Sequence, residues 1–213
     1  MHNLNLYDTI KVDDHNINRE NYSMKNKLSG WVEIYDSKDN LIHSDHNLIV
    51  YNGRINLSNL LFDNNNLRVR GLSLGTGGFV TSEDNIYRKI AVDPTDISLN
   101  NEISWNESNN GNYIETDTNL FGIKKFIKDE TVTINDSFDP NNENQPLIKK
   151  IIVPVTSEEC NSNENVNLIS EAGLWLMDDN YTNESKQLFA KTTFDPISKT
   201  SSVSFNIIWY LFF

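Results

Sequence analysis

One cysteine in 213 residues leaves this chain without the means to staple itself. Cys160 has no second thiol for an intramolecular disulfide, and no Cys-rich zinc cluster can be assembled around it. Its neighbours Glu158 and Glu159 disfavour a thiolate, the opposite of what an activated nucleophile needs, so Cys160 reads as incidental. No apolar run approaches the ~20 residues that span a bilayer. The start, MHNLNLYDTIKVDD, has no basic stretch leading into an apolar core as a secretory signal would. The expectation is a soluble protein made in a reducing cytoplasm. Positive charge is scarce too: 18 Lys and Arg against 30 Asp and Glu give a net charge of -12. Phosphate backbones are held by clustered cations. The compact basic spots, Arg68 with Arg70, Lys124 with Lys125 and Lys149 with Lys150, lie in apolar strand-like runs and read as solvated strand faces. Neither nucleic acid nor membrane is expected as a partner.

Catalytic patterns are missing as well. No GxSxG elbow is present, and no cysteine-protease signature surrounds Cys160. The glycines of Gly75, Thr76, Gly77, Gly78 fit neither GxxxxGK[ST] nor GxGxxG and precede no amphipathic helix, so they read as a turn needing positive φ. His43, Asp45 and His46 offer metal-ligating atoms, but in a strand positions 43 and 45 face away from 46. With no second His or Cys cluster to complete a shell, the segment reads as an ordinary polar hairpin strand. Glu115 and Asp117 share a strand face as a glycosidase pair would, yet spacing does not supply the geometry. Asp178 to Asn180, and Asp139, Asn141, Asn142 and Glu143, are oxygen-rich loops without the twelve-residue calcium pattern. No catalytic, cofactor-binding or metal-ligating residue is assigned, and the chain is expected not to be an enzyme.

What is present is β-structure. Residues 1–28 are polar and weakly periodic, a flexible arm, and 29–213 read as one mainly β domain. Trp31, Ile34 and Tyr35, the turn Ser37 to Asn40, and Leu41 with Ile42 make a hairpin. Asn52 is a helix cap, with Ile55, Leu57, Leu60 and Leu61 at helical spacing over roughly ten residues. Short β-prone segments follow, among them 86–92, 97–105 and the region to 134. Ile148 to Val155 carries Pro154 as an edge or bulge marker. The chain closes with Leu188 to Phe194, a proline turn at Asp195 and Pro196, and a return strand from Val203 whose alternate residues Val203, Phe205, Ile207, Trp209, Leu211 and Phe213 are apolar and are expected to be locked into a sheet. These elements predict an antiparallel sandwich or barrel-like fold with one short helix. Trp175 and Trp209 read as core, whereas Trp105, in ISWNES, is the aromatic best placed for a surface.

Three segments in order, SGWVEIYDSKDNLIHSDHNLIVYNGRINLSNLLF, LSLGTGG, and ISEAGLWLMDD with LFAKTTFDPISK and IIWYLFF, together resemble a family of tailed-bacteriophage virion structural proteins. SGWVEIYDSKDNLIHSDHNLIVYNGRINLSNLLF (29–62) is similar to an opening of two strands leading to N-L-I-V-x-x-G-R and a short helix. LSLGTGG (72–78) resembles an A-L-G-T-G strand and turn. ISEAGLWLMDD with LFAKTTFDPISK and the final IIWYLFF is similar to a closing pattern of E-A-G-L-F, L-F-A-R-x-T-F-x-P-I-x-K and W-x-I-x-F, with Lys191 where Arg is common and Trp175 where Phe is usual. The likeness implies a component of the neck, collar, tail or baseplate, made in the bacterial host cytoplasm and built into the virion. It also implies symmetric copies contacting other virion proteins, with no catalytic residue or cofactor to carry over. The alternative from another class is a carbohydrate-binding β-sandwich for host receptor or glycan recognition, with Trp105 on its binding face.

Overall fold

The computed structural model describes residues 28–62, 66–81, 86–105, 112–116, 120–126, 133–137, 147–162 and 166–213. The expected arm lies outside them apart from Leu28, which packs on the core.

The first hairpin forms where turn chemistry puts it: β1 (Ser29–Asp36) and β2 (Leu41–Ile49) pair antiparallel. The Asp36 carboxylate accepts the backbone N–H groups of Lys38 and Asn40 at 2.8 and 2.9 Å, and Asp39 takes the left-handed conformation at φ 61°. Short polar side chains close turns in this way. The helix α1 (Tyr51–Phe62) begins before Asn52, which is therefore inside it and not its cap. Backbone contacts tether the start instead: Tyr51 N–H reaches Pro94 O at 2.8 Å, and Val50 N–H reaches Phe189 O at 3.1 Å. This anchoring turns Ile55 outward, 56% exposed, while Gly53 and Asn56 are buried.

The remaining strands are β3 (Arg68–Gly75), β4 (Phe79–Thr81), β5 (Tyr87–Lys89), β6 (Tyr113–Glu115), β7 (Phe121–Lys125), β8 (Thr133–Ser137), β9 (Ile148–Val155), β10 (Asn167–Met177), β11 (Gln187–Lys199) and β12 (Phe205–Phe212). Ten of the twelve form one antiparallel sheet in the order β6, β7, β3, β10, β11, β2, β1, β12, β9, β8, and β4 with β5 make a separate ribbon. The sheet curls into a half-barrel, so the fold is mainly β, with one α-helix among the described residues. Its two halves meet at a narrow seam, where β11 and β2 pair only through Ala190 with Ile49 and Lys191 with Leu48. Between the halves lies the core, with Val32, Ile207 and Trp209 from one side and Leu72, Leu174 and Phe194 from the other. Among the described residues no helix is long and apolar enough to cross a membrane.

Two expectations fail here. The closing segments are not a pair joined by a proline turn: β11 runs straight through Pro196, and β12 pairs with β1 and β9. The register of β10 against β11 jumps between Ile169 and Glu171, so Pro196 sits at a bulge, and β2 borders β11 only at 190–191. A missing N–H removes no ladder bond where no strand borders it. Residues 97–105 are a loop, which meets the sheet at an isolated bridge between Gly75 and Glu102 and through Ile103 N–H to Leu74 O and Trp105 N–H to Phe121 O. Pro154 is expected to mark an edge or a bulge; among the described residues β8 borders β9 only as far as Ile152, so on that side Pro154 faces no described strand.

Candidate functional site

The most ionic part of the interior is built by β10 and β11. Glu171 has no exposed surface, and a carboxylate removed from water must find partners close by. Oε1 accepts the backbone N–H groups of Gly77 at 3.1 Å and Asn101 at 2.8 Å, and Oε2 accepts that of Asn100 at 3.0 Å. Lys191, 1% exposed, brings Nζ to 3.6 Å from Glu171 Oε2 and 3.1 Å from Asp96 Oδ2. It also donates to Asn100 Oδ1 at 2.9 Å and Ser98 O at 3.3 Å. Gly173 stands opposite Lys191 in the ladder. A Cβ there would lie 2.9 Å from Leu188 Cδ1 and 3.1 Å from Leu99 Cδ2. The pair thus pins two loops, 76–78 and 96–101, to the outer face of the sheet.

The glycine-rich turn has a different cause from the one expected. Neither Gly77 nor Gly78 has a positive φ; instead a Cβ on Gly78 would lie 1.9 Å from Ser170 O. Close backbone approach is the reason, and Gly78 N–H donates to Ser170 Oγ at 3.0 Å.

A second buried cluster ties the two ends of the curled sheet together. Lys124 on β7 is 3% exposed and pairs with Glu159 Oε1 at 2.7 Å, in the loop that follows β9. Lys124 Nζ also donates to Pro154 O at 2.7 Å and lies 5.1 Å from the Trp105 ring centroid. The Tyr113 hydroxyl donates to Glu159 Oε1, and Thr156 N–H donates to Oε2 at 2.8 Å. Beside them Lys199, fully buried, holds Asn161 Oδ1 and Thr200 O at 2.9 Å and Ser157 O at 3.3 Å. Burial draws the Lys199 ammonium below the usual lysine range, against the pull of Cys160 and Glu159. Cys160 itself is buried, and burial first, then Glu159, push its thiol far above the ordinary range. Such a thiol is inert.

Lys124 corrects the expectation of solvated basic faces, whereas Arg70 with Asp179 and Lys149 with Asp136 pair nearer the surface. Trp105 is also corrected: it is fully buried, with Nε1–H donating to Gly122 O at 3.1 Å. The aromatic that a carbohydrate-binding face would need exposed is core. Trp175 and Trp209 are core as expected. The alternation of β2 separates the histidines: His43 rests on Phe194 at 5.4 Å, and His46 meets Trp31 edge-on at 4.6 Å. Among the described residues no group of three His, Cys, Asp or Glu is placed to hold a metal ion. Glu115 is exposed, and Asp117 lies outside the described residues, as do Asp139, Asn141, Asn142 and Glu143. Asp178 closes its own turn, accepting Thr182 N–H at 3.0 Å and the Thr182 hydroxyl at 2.9 Å.

Sequence reasoning missed Glu171, Lys191, Lys124 and Glu159. The signal for the first two was available: a lone charge inside ISEAGLWLM and another inside LFAKTTF, each in a run too apolar to be solvated. Chemically, both clusters bind backbone and each other with closed shells. A surface hollow of about 310 Å³, lined by Ser37, Pro154, Thr156, Ser157, Ser204 and Asn206 over Val155 and Phe205, carries no ionisable side chain. Compared with known proteins, the chain matches no family model, no curated sequence and no solved structure.

Proposed function

We propose that this protein is a structural component of a tailed-bacteriophage virion, in the neck, collar, tail or baseplate, acting through protein–protein contacts and catalysing no reaction. One observation carries the reading: the separate segments that resemble the virion family are in mutual contact. Gly53 of NLIVYNGR lies against Phe189 of LFAK, where a Cβ would come within 2.3 Å of Phe189 O. The loop of LSLGTGG is bound by Glu171 of EAGL, and Glu171 faces Lys191 of LFAK. Lys199, the last residue of FDPISK, holds the loop after β9. The polar residues of the set are engaged in holding the fold, which is the use an assembly protein has for them. Apolar side chains of the ribbon, Val80, Ile86 and Tyr87, are 50 to 54% exposed and supply surface of the kind that other subunits cover.

In this role the chain works in symmetric copies against other virion proteins, needs no cofactor, and resides in the particle. Mass spectrometry of gradient-purified infectious particles tests it. The polypeptide is expected at a constant ratio to the major capsid protein across the particle peak. Its absence from that peak, with peptides recovered only from the soluble lysate, would reject the proposal.

A further inference from the structure

The seam between β2 and β11 contains a titratable ring with an unmet bonding position. His43 Nε2 is buried and has no hydrogen-bond partner. Its ring packs on Phe194 of β11 at 5.4 Å and 41°, and across the ladder on β1 it faces apolar Ile34. Three charged groups surround it: Asp45 on its own strand, Lys89 on the ribbon and Asp195 on β11. Asp45 and Lys89 are paired at 2.5 Å, which fastens the ribbon to β2. The ribbon's other attachments run to β11 and the glycine turn: Thr193 Oγ1 donates to Ile90 O at 2.8 Å, and Ile90 N–H donates to Gly78 O at 2.9 Å. Beyond Leu48 and Ile49 no ladder joins the two strands, so side chains alone close the wedge over residues 41–46 and 192–197.

We propose that His43 is an acid-sensitive latch, holding the β2/β11 wedge and its ribbon shut while neutral and releasing them when it takes a proton from solvent. A neutral imidazole can leave the buried Nε2 as a bare acceptor. An imidazolium there carries an N–H with nothing to accept it and a charge removed from water, a state that buried surroundings disfavour. Burial lowers the affinity of His43 for the proton; Asp45 and Asp195 oppose that effect, and Lys89 adds to it. The Asp45 carboxyl is held below its usual range by Lys89 and the His46 N–H despite its burial, so it keeps its charge over the same pH range and is not the group whose titration opens the wedge.

The sign follows from linkage. With the folded-state pKa of His43 below its ordinary value near 6.5, the closed wedge gains full stability above that value. The gain is lost as pH falls below it, because the open form binds the proton. Hydrogen exchange of the full-length protein at pH 7.5 and 5.5, corrected for intrinsic rates, reads the opening directly. Protection of 41–46, 87–90 and 192–195 is expected to fall in the wild type, by up to about tenfold, the limit set by one proton taken up by an open form titrating near 6.5. Burial lowers the proton affinity of His46 too, but its ring lies on the opposite face of β2 against Trp31, so the readout that separates the two is 87–90 and 192–195. Protection there should stay level in His43→Leu, or in His43→Gln should the first variant not fold, while His46→Gln keeps the wild-type response at those residues. An NMR titration of the His43 ring, read on the wild type alone, is expected to give a midpoint below 6.5. A midpoint at or above 6.5, or an unchanged pH response in the His43 variants, would overturn the latch.

Discussion

Glu171 and Lys191 show at residue scale how much one pair is asked to do. The carboxylate satisfies three backbone N–H groups from two loops, and the ammonium holds the second of them through Asp96, Ser98 and Asn100. Removing one member of a buried pair leaves an uncompensated charge, which typically costs roughly 3–5 kcal/mol. Glu171→Ala is therefore expected to lower the urea unfolding free energy by that order. Adding Lys191→Met to it should cost less than the two singles summed, since the orphaned charge leaves with its partner. Trp105→Ala should cost about 3–5 kcal/mol for a buried aromatic, with a matching fall in unfolding midpoint. Trp105 and Lys124 illustrate why such residues hide in a sequence. Trp105 lies in a loop with no periodicity and is buried by distant chain, and β7 is covered on both faces. Ile123 therefore enters one apolar cluster while the adjacent Lys124 points into the main core. Strand alternation separates the two sides without saying that both are interior.

Elements were legible where their causes are local. The turn Ser37 to Asn40 and the apolar spacing after Tyr51 depend on neighbours within a few residues, so the first hairpin and α1 are close to expectation. Orientation and pairing depend on distant contacts and were missed. The face of α1 is set by Val50 and Tyr51 tethering to Phe189 and Pro94, and Pro196 falls at a bulge that only the register with β10 reveals. Gly53 provides the test at this scale. In an ordinary helix Gly→Ala stabilises by about 1 kcal/mol. At position 53 the added Cβ would meet Phe189 O at 2.3 Å and Phe189 Cδ2 at 2.9 Å. Gly53→Ala is expected to destabilise by about 1–3 kcal/mol and to speed amide exchange across α1. Exposed Ile55→Ala should stay within about 0.5 kcal/mol of the wild type. Equal stability of both variants would show that α1 does not press on β11.

For the molecule as a whole, the curled sheet is one body because three devices close it: the apolar core between its halves, the Glu171 and Lys191 clamp on one outer face, and the Lys124 and Glu159 cluster joining β7 to the loop beyond β9. The mainly β class was legible from many short apolar runs between polar turns; the single ten-stranded order was not, because antiparallel pairing here links strands far apart in sequence. β12 is the clearest case. Its alternation announced a buried strand, and Phe205, Ile207, Trp209 and Leu211 are 0 to 2% exposed, whereas Val203 precedes the strand and Phe213, past its end, is 51% exposed. Its neighbours, β1 and β9, could not be read from that pattern. Since β12 joins these two strands, its loss removes both ladders at once and opens the core. Calorimetry of the chain truncated after Ser204, beside the full-length protein, tests this most directly. The truncated chain should show no cooperative unfolding transition and should expose apolar surface to dye binding. A soluble truncation that unfolds cooperatively near the full-length Tm would contradict the closed-sheet account.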